Sequence, residues 1–401
     1  MRINTVLAVA TLTTALVLAG CASPGQKSPA EQAKAEAQKQ WAGARANVLG
    51  GMAKEQYDSG NFDKCRETLG QALKMDPENA PLRVLSARLA IEQSNLELAD
   101  QELIVARRLD PKNAEADYLS GVVCQRWQRP QEAYDYYRSA SEKQPAELAY
   151  LMAQAEMLVN LNRADDALAL LQAKVVFFEY SGAIRDAVGQ ILMQKGKYSE
   201  AVDILHQASI LATDDITIRE HLALAYLRNK QYREAADTLG RLVKDDRYAK
   251  RADLYLALGE CQLNLNKARD ARDSFQTASQ LNPNQASAWL ALGKVALQLN
   301  DPGRAEMSLK RSLTIDPASS EANLLLGYAR LRQKKLDEAL ACFRKASALD
   351  TNDTVSICMI GYVLEKQGKS TQALQFYAQA LKIKPGDEMA TRLMAQVQID
   401  Q

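Results

Sequence analysis

Six cysteines and two histidines carry the widest chemical reach in this 401-residue sequence. A thiolate attacks or is alkylated, and an imidazole moves protons or ligates a metal, but each needs partners at set spacing. His206 and His221 fall in different helical segments, which is too little material for a metal set. No Gly-rich phosphate loop, no Gly-x-Ser-x-Gly and no His-Glu-x-x-His occurs, and no two cysteines form a Cys-x-x-Cys pair. The sequence therefore predicts no catalytic residue, no metal and no cofactor, and an enzyme is not expected. Cys21 stands apart from the other thiols. It ends an apolar stretch whose core, "VLAVATLTTALVL" (Val6–Leu18), is 13 residues long and uncharged, behind the single basic residue Arg2. Such a run is too short to span a bilayer comfortably and fits the core of a secretory signal.

The four residues Leu18, Ala19, Gly20 and Cys21 resemble the lipobox of bacterial lipoproteins. The resemblance implies cleavage before Cys21, a diacylglyceryl group on its thiol, and more than one acyl chain. One chain anchors marginally, whereas two or more anchor stably. The rival readings are a signal peptide cut by the ordinary peptidase and an uncleaved membrane helix, although no Ala-x-Ala site is evident before Cys21. A lipidated chain faces an extracytoplasmic space. If the organism has an outer membrane, Ala22 in place of an inner-membrane retention Asp favours that membrane.

Charge excludes one class of partner. Lys and Arg number 50 against 49 Asp and Glu, and removing residues 1–20 deletes only Arg2, which leaves a mature charge of zero. No basic excess exists to release counterions from nucleic acid or to favour an anionic lipid surface. Five cysteines remain after lipidation, Cys65, Cys124, Cys261, Cys342 and Cys358, and they are expected as buried free thiols, with Cys342 and Cys358 the pair to check for a bond.

The elements that position everything else repeat. Pro77, Pro111 and Pro145 are 34 apart, as are Pro283 and Pro317, which signals a repeat architecture. The segments "YDSGNFDKCRETLGQALKMDP", "LNKARDARDSFQTASQLNP" and "EKQGKSTQALQFYAQALKIKP" resemble the tetratricopeptide repeat, with Gly or Ala at position 8, Ala at 20 and 27 and Pro at 32. In that frame repeats start at Ala46, Ala80, Ala114, Leu148, Gly182, Ile216, Ala252, Ala286, Ser320 and Thr354. Positions 8 and 20 hold only small residues in all of them, as a close crossing of two helices requires. Gly293 and Ala305 are expected to face each other across one such crossing. The pattern weakens in the middle. Position 32 is Glu179, Thr213, Arg247 and Thr351 in repeats four, five, six and nine, position 27 is Lys174 and Leu242 in repeats four and six, and two extra residues precede repeat seven.

The resemblance implies an all-α fold, a right-handed superhelical solenoid of about ten helical hairpins with a C-terminal capping helix. The expected organisation is a signal peptide over 1–20, a lipidated N-terminus and tether over 21–45, repeats over 46–387 and a cap over 388–401. The tether begins flexible and becomes helical, and Met389, Leu393 and Val397 give the cap its apolar face.

The same resemblance places ligands on the first helix of each hairpin, at positions 2, 5, 9, 12 and 13. Positions 5 and 12 of repeats seven to nine are Leu256 and Leu263, Leu290 and Leu297, Leu324 and Leu331, and position 9 adds Tyr328 and Tyr362. This leucine ladder reads either as an apolar groove for a partner segment or as packing against the next hairpin. The Lys at 5 with Asn at 9 that clamps a terminal carboxylate is absent, so a carboxylate tail is not the expected ligand. The expected function is an anchored scaffold for segments of envelope proteins, in pilus or secretion-system assembly as pilotin-like lipoproteins serve, or alternatively an adaptor for cell-wall synthases and hydrolases.

Overall fold

The computed structural model describes residues 29–399. Cys21, the apolar run before it and the first part of the tether lie outside them. Among the described residues the chain is all-α, with 21 helices and no strand. The described chain divides into two compact units, one up to Met157 and one from Leu158 onward.

In the first unit the helices pair as α1 (Pro29–Asp58) with α2 (Phe62–Met75), α3 (Ala80–Glu92) with α4 (Leu96–Leu109), and α5 (Ala114–Arg126) with α6 (Pro130–Lys143). The division falls within α7 (Leu148–Asn160). The second unit continues with α8 (Ala164–Lys174), α9 (Gly182–Gln194), α10 (Tyr198–Leu211), α11 (Ile216–Arg228), α12 (Tyr232–Leu242), α13 (Ala252–Asn264) and α14 (Ala268–Leu281). It ends with α15 (Ala286–Gln298), α16 (Pro302–Ile315), α17 (Ser320–Arg332), α18 (Leu336–Leu349), α19 (Thr354–Lys366), α20 (Ser370–Ile383) and α21 (Glu388–Ile399).

A single backbone device joins the two helices of each hairpin. Position 15 is left-handed in every repeat, with positive φ at Gly60, Ser94, Gln128, Asn162, Gly196, Lys230, Asn266, Asn300, Lys334 and Gly368. The next N–H reaches back five residues, as in Asn61 N to Gln56 O at 2.8 Å and Lys335 N to Arg330 O at 3.0 Å. That bond closes a Schellman motif, which satisfies carbonyls the helix end would leave bare and reverses the chain in three residues. Side-chain caps start several first helices, among them Asn79, Asn113, Asp215, Ser319 and Asp353.

Position 20 is fully buried from Cys65 to Ala373. At the small residue of position 8 the tightest approach comes from a large side chain. A Cβ on Gly293 would lie 2.5 Å from Leu309 Cγ, and the three nearest atoms are all of Leu309. The same holds for Gly259 under Phe275, Gly327 under Phe343 and Gly361 under Tyr377. Position 8 therefore makes room for the large side chain at position 24, while Ala305 is buried beside Leu309 in its own cluster.

Where the repeat pattern fails, the helices shorten. Helices α8 and α12 have 11 residues against 14 in their regular counterparts. They stop at Lys174 and Leu242, where the small residue of position 27 is missing. The turn after α8 leaves Val176, Phe177 and Tyr180 exposed. At the other end of the second unit, α21 is held by Asp387, which accepts from Ala390 N at 3.0 Å and from Thr354 Oγ1 at 2.9 Å. Ala390, Leu393 and Val397 are buried with Met389 alongside, so the helix covers the last hairpin's apolar face. At the N-terminal end α1 runs unbroken from the tether into the first repeat. No helix among the described residues is long and apolar enough to cross a membrane.

Candidate binding groove

In the first unit a hollow of about 470 Å³ opens on the face of the first helices α1, α3 and α5. Its lining comes from positions 2, 5, 6 and 9 of repeats one and two, with Leu82 at position 3, Asn79 and Asn113 at position 34, and Glu115 from repeat three. The aliphatic floor is Leu82, Val84 and Leu85, and Asn47, Lys54, Asn79, Arg88 and Asn113 stand around it. Gly50, at position 5, creates the depth: a Cβ there would come within 2.5 Å of Leu82 Cδ2.

Hydrogen bonds hold this rim. Asn79 Nδ2 donates to Asn47 Oδ1 at 3.0 Å and to Asp76 Oδ2 at 3.1 Å, while its own Oδ1 caps α3 by accepting from Leu82 N at 3.2 Å. Arg88 pairs with Glu115 and lies 6.0 Å over the ring of Tyr57. Burial, with Glu92 adding to it, pushes the Tyr57 phenol up, so it stays neutral. Lys54 is exposed and has no ion-pair partner among the described residues. An aliphatic floor with amide and cationic groups at its edge can take an extended or helical peptide, with one carboxylate satisfied by Lys54.

The eight predicted groove residues lie in the second unit. Leu256 and Leu263 on α13 are half-buried against Phe275, Leu292 and Val295. Leu290 is half-buried and Leu297 is buried in the cluster of Leu309, Leu326 and Ala329. Leu324, Leu331, Tyr328 and Tyr362 are half-buried against the terminal cluster of Phe343, Ile360 and Tyr377. Tyr328 meets Phe343 edge-on at 5.5 Å, and Lys366 lies 5.2 Å over the ring of Tyr362. The ladder is thus one row of side chains, each packed on its inner side against a neighbouring hairpin.

The remaining candidate chemistry is dispersed. All five described cysteines are buried and unpaired, and burial pushes the thiols of Cys124 and Cys358 to about 11 and of Cys261 to about 12. At such values the reactive thiolate is rare near neutrality. His221 Nδ1 lies 2.8 Å from Asp186 Oδ1 across successive first helices, and that hydrogen bond raises the imidazole against its burial. No group of three His, Cys, Asp or Glu among the described residues could hold a metal.

The signal for the Gly50 hollow in the sequence is a glycine where repeats seven to nine carry leucine, with Lys54 and Arg88 at position 9. The signal for the exposed Val176, Phe177 and Tyr180 is the lost Pro at position 32 of repeat four.

Two family models match the chain, a tetratricopeptide repeat over residues 56–121 and the Cilia and flagella-associated protein 70 C-terminal domain over 214–401. No curated protein sequence matches it. Among solved structures, PilF of Pseudomonas aeruginosa is 16% identical, covering 54% of this chain and 97% of its own, with a TM-score of 0.46. MamA (41-end) from Desulfovibrio magneticus RS-1 is 20% identical, with coverages of 43% and 97% and a TM-score of 0.41. YrrB, described as a TPR protein with an unusual peptide-binding site, is 17% identical, with coverages of 55% and 96% and a TM-score of 0.35. The helical hairpins and the segment that matches the repeat give the described chain a tetratricopeptide-like fold.

Proposed function

We propose that this chain is a lipid-anchored, extracytoplasmic scaffold that holds segments of envelope proteins on the first-helix faces of its hairpins. The observation that carries the binding half is the Gly50 hollow, an apolar floor with an amide and cationic rim at the positions where the repeat resemblance puts ligands. The half-buried leucines of repeats seven to nine, with Tyr328 and Tyr362, supply a second, more apolar strip. The lipobox-like Leu18–Cys21 sequence supports the anchoring half. A lipobox followed by tandem repeats also fits the pilotin-like role in pilus or secretin assembly. Under this reading the outer membrane carries the chain where the organism has one.

The anchor is tested at its thiol. Cys21→Ser is expected to block processing and acylation, leaving an uncleaved precursor in the membrane fraction with no incorporated fatty-acid analogue. Equal labelling of both forms would overturn the anchor. Equal recovery of envelope partners by the full chain and by a Lys54→Ala, Arg88→Ala variant would overturn the groove.

A further inference from the structure

A second cleft lies on the opposite kind of surface, between second helices. In the second unit α14, α15 and α16 enclose a trench of about 600 Å³ lined by Trp289, Leu292, Met307, Gln276, Arg272 and Arg304. It adjoins a smaller hollow of about 220 Å³ that shares Arg272 and Arg304 and adds Arg269 and Asp301. Trp289 Nε1 donates to Pro283 O at 3.0 Å, which fixes the indole. Met307 is 67% exposed.

The charge pattern of the repeat is inverted here. Position 19 is acidic at Glu132, Asp166, Glu200, Glu234, Asp270 and Glu338, where a carboxylate in the first turn meets the positive end of the helix dipole, but repeat eight places Arg304 there, as repeat one places Lys64. Position 22 is Glu67, Asp135, Asp203, Asp237 and Asp273, and repeat eight places Met307 there. Position 18 is acidic at Asp63, Glu97, Asp165 and Asp337, and repeats six and seven place Arg233 and Arg269 there. These changes do little for their own helices, Arg304 gaining only a surface pair with the N-cap Asp301. A cation in the first turn opposes the dipole, and an exposed methionine buries nothing. Nearby acids only partly answer the arginines. Arg272 pairs with Asp273 at 2.8 Å and Arg304 with Asp301 at 3.3 Å, both at the surface, while Arg269 has no ion-pair partner among the described residues. Exposed pairs of this kind contribute little and yield to a ligand carboxylate that reaches the same guanidinium.

We infer that this trench is a second binding site, for an acidic peptide segment carrying one large apolar side chain. The anchor seats on Trp289, Leu292 and Met307, and flanking carboxylates meet Arg269, Arg272 and Arg304. A recessed floor of Trp289 and Leu292 beneath a cationic rim favours a side chain on a peptide over a flat array of lipid headgroups.

Selection of random displayed peptides on the full chain, followed by fluorescence anisotropy of a labelled winner, tests this. The enriched peptides are expected to pair Asp or Glu with Trp, Phe or Leu. Arg272→Glu with Arg304→Glu should weaken the winner by about tenfold or more, in a salt-dependent way, and Met307→Asp should weaken it as well. Lys54→Ala should leave it unchanged, which separates this site from the Gly50 hollow. If the double reversal melts early, the exposed single change Arg304→Gln carries the test. Winners without acidic residues, or an affinity indifferent to these substitutions, would overturn the proposal. So would arginine-dependent binding of vesicles of phosphatidylcholine and phosphatidylglycerol that the peptide does not displace, which would make the trench a membrane contact. Concentration-dependent self-association lost in Arg304→Glu would reassign it to a second copy of the chain.

Discussion

The first-helix faces of the two units start from one backbone plan and end as different surfaces. In repeats one and two, position 5 is Gly50 and Val84, position 9 is Lys54 and Arg88, and a hollow opens between the helices. In repeats seven to nine, position 5 is Leu256, Leu290 and Leu324, and those leucines fill the equivalent strip by packing against the next hairpin. The hairpins themselves do not differ, since both sets carry the buried position 20 and the left-handed turn at position 15. One column of side chains decides whether a repeat presents a cavity or a filled ridge. A repeat scaffold can therefore vary its ligands without touching what holds it together.

The contrast between the two faces is largest at Leu297. It is 7% exposed, so Leu297→Ala is expected to cost about 2 to 4 kcal/mol in a denaturant titration. Lys54→Ala on the open face should leave the midpoint where it was. Equal midpoints for both variants would erase the distinction between filled and open faces.

Two glycines sharpen it. Gly361 lies under Tyr377, where an added Cβ would come within 2.5 Å of the ring, and the ring is fully buried and cannot retreat. Gly361→Ala should cost about 1 to 3 kcal/mol by overpacking, and Ala305→Leu a similar amount. Gly50→Ala meets only the end of Leu82, and its gain in helix propensity of up to about 1 kcal/mol offsets the clash. That variant should melt close to the parent while shallowing the hollow and weakening its ligand. A large loss of stability at Gly50 would show that the glycine serves packing and not the site.

Smaller effects come from titration and turns. His221 is raised by its bond to Asp186, so its stabilisation is full below the unfolded imidazole value of about 6.5 and is lost as pH rises through the folded one. Thermal midpoints should therefore fall modestly from pH 6 to 8, and His221→Gln should flatten that slope. An unchanged slope would mean that the inter-repeat bond adds nothing to stability. At the left-handed turns, Lys334→Gly should add about 0.5 to 1 kcal/mol and Gly196→Ala subtract about 1 kcal/mol, because only glycine adopts that backbone freely. Differential scanning calorimetry resolves both.

Much of this fold is legible in the sequence because close helix crossings tolerate so little. A column of Gly, Ala and Cys at positions 8 and 20 leaves one register, and the first helices begin at Ala80, Ala114, Gly182, Ile216, Ala252, Ala286, Ser320 and Thr354 in that register. The partner across the crossing is not legible in the same way. A small residue says that something large approaches, and naming Leu309 as that side chain requires the second helix's rotation, which spacing alone does not convey. The site is harder still. Leucines at seven-residue spacing look the same whether they face a ligand or a neighbouring hairpin, whereas the hollow shows itself through an absence, the missing side chain of Gly50. The trench is readable only as a departure from the repeat's own charge column, at Arg304 and Met307.

Whether the first-helix face receives segments of other proteins is tested most directly by site-specific photo-crosslinking in intact cells. A benzophenone side chain at position 54, on the rim of the hollow, and another at exposed Gln71 on α2 would be irradiated in parallel. Discrete adducts with envelope proteins are expected from position 54, and none of the same size from position 71. Adducts of the same size and yield from both positions, or no adduct from position 54, would mean that this face is not where partners bind.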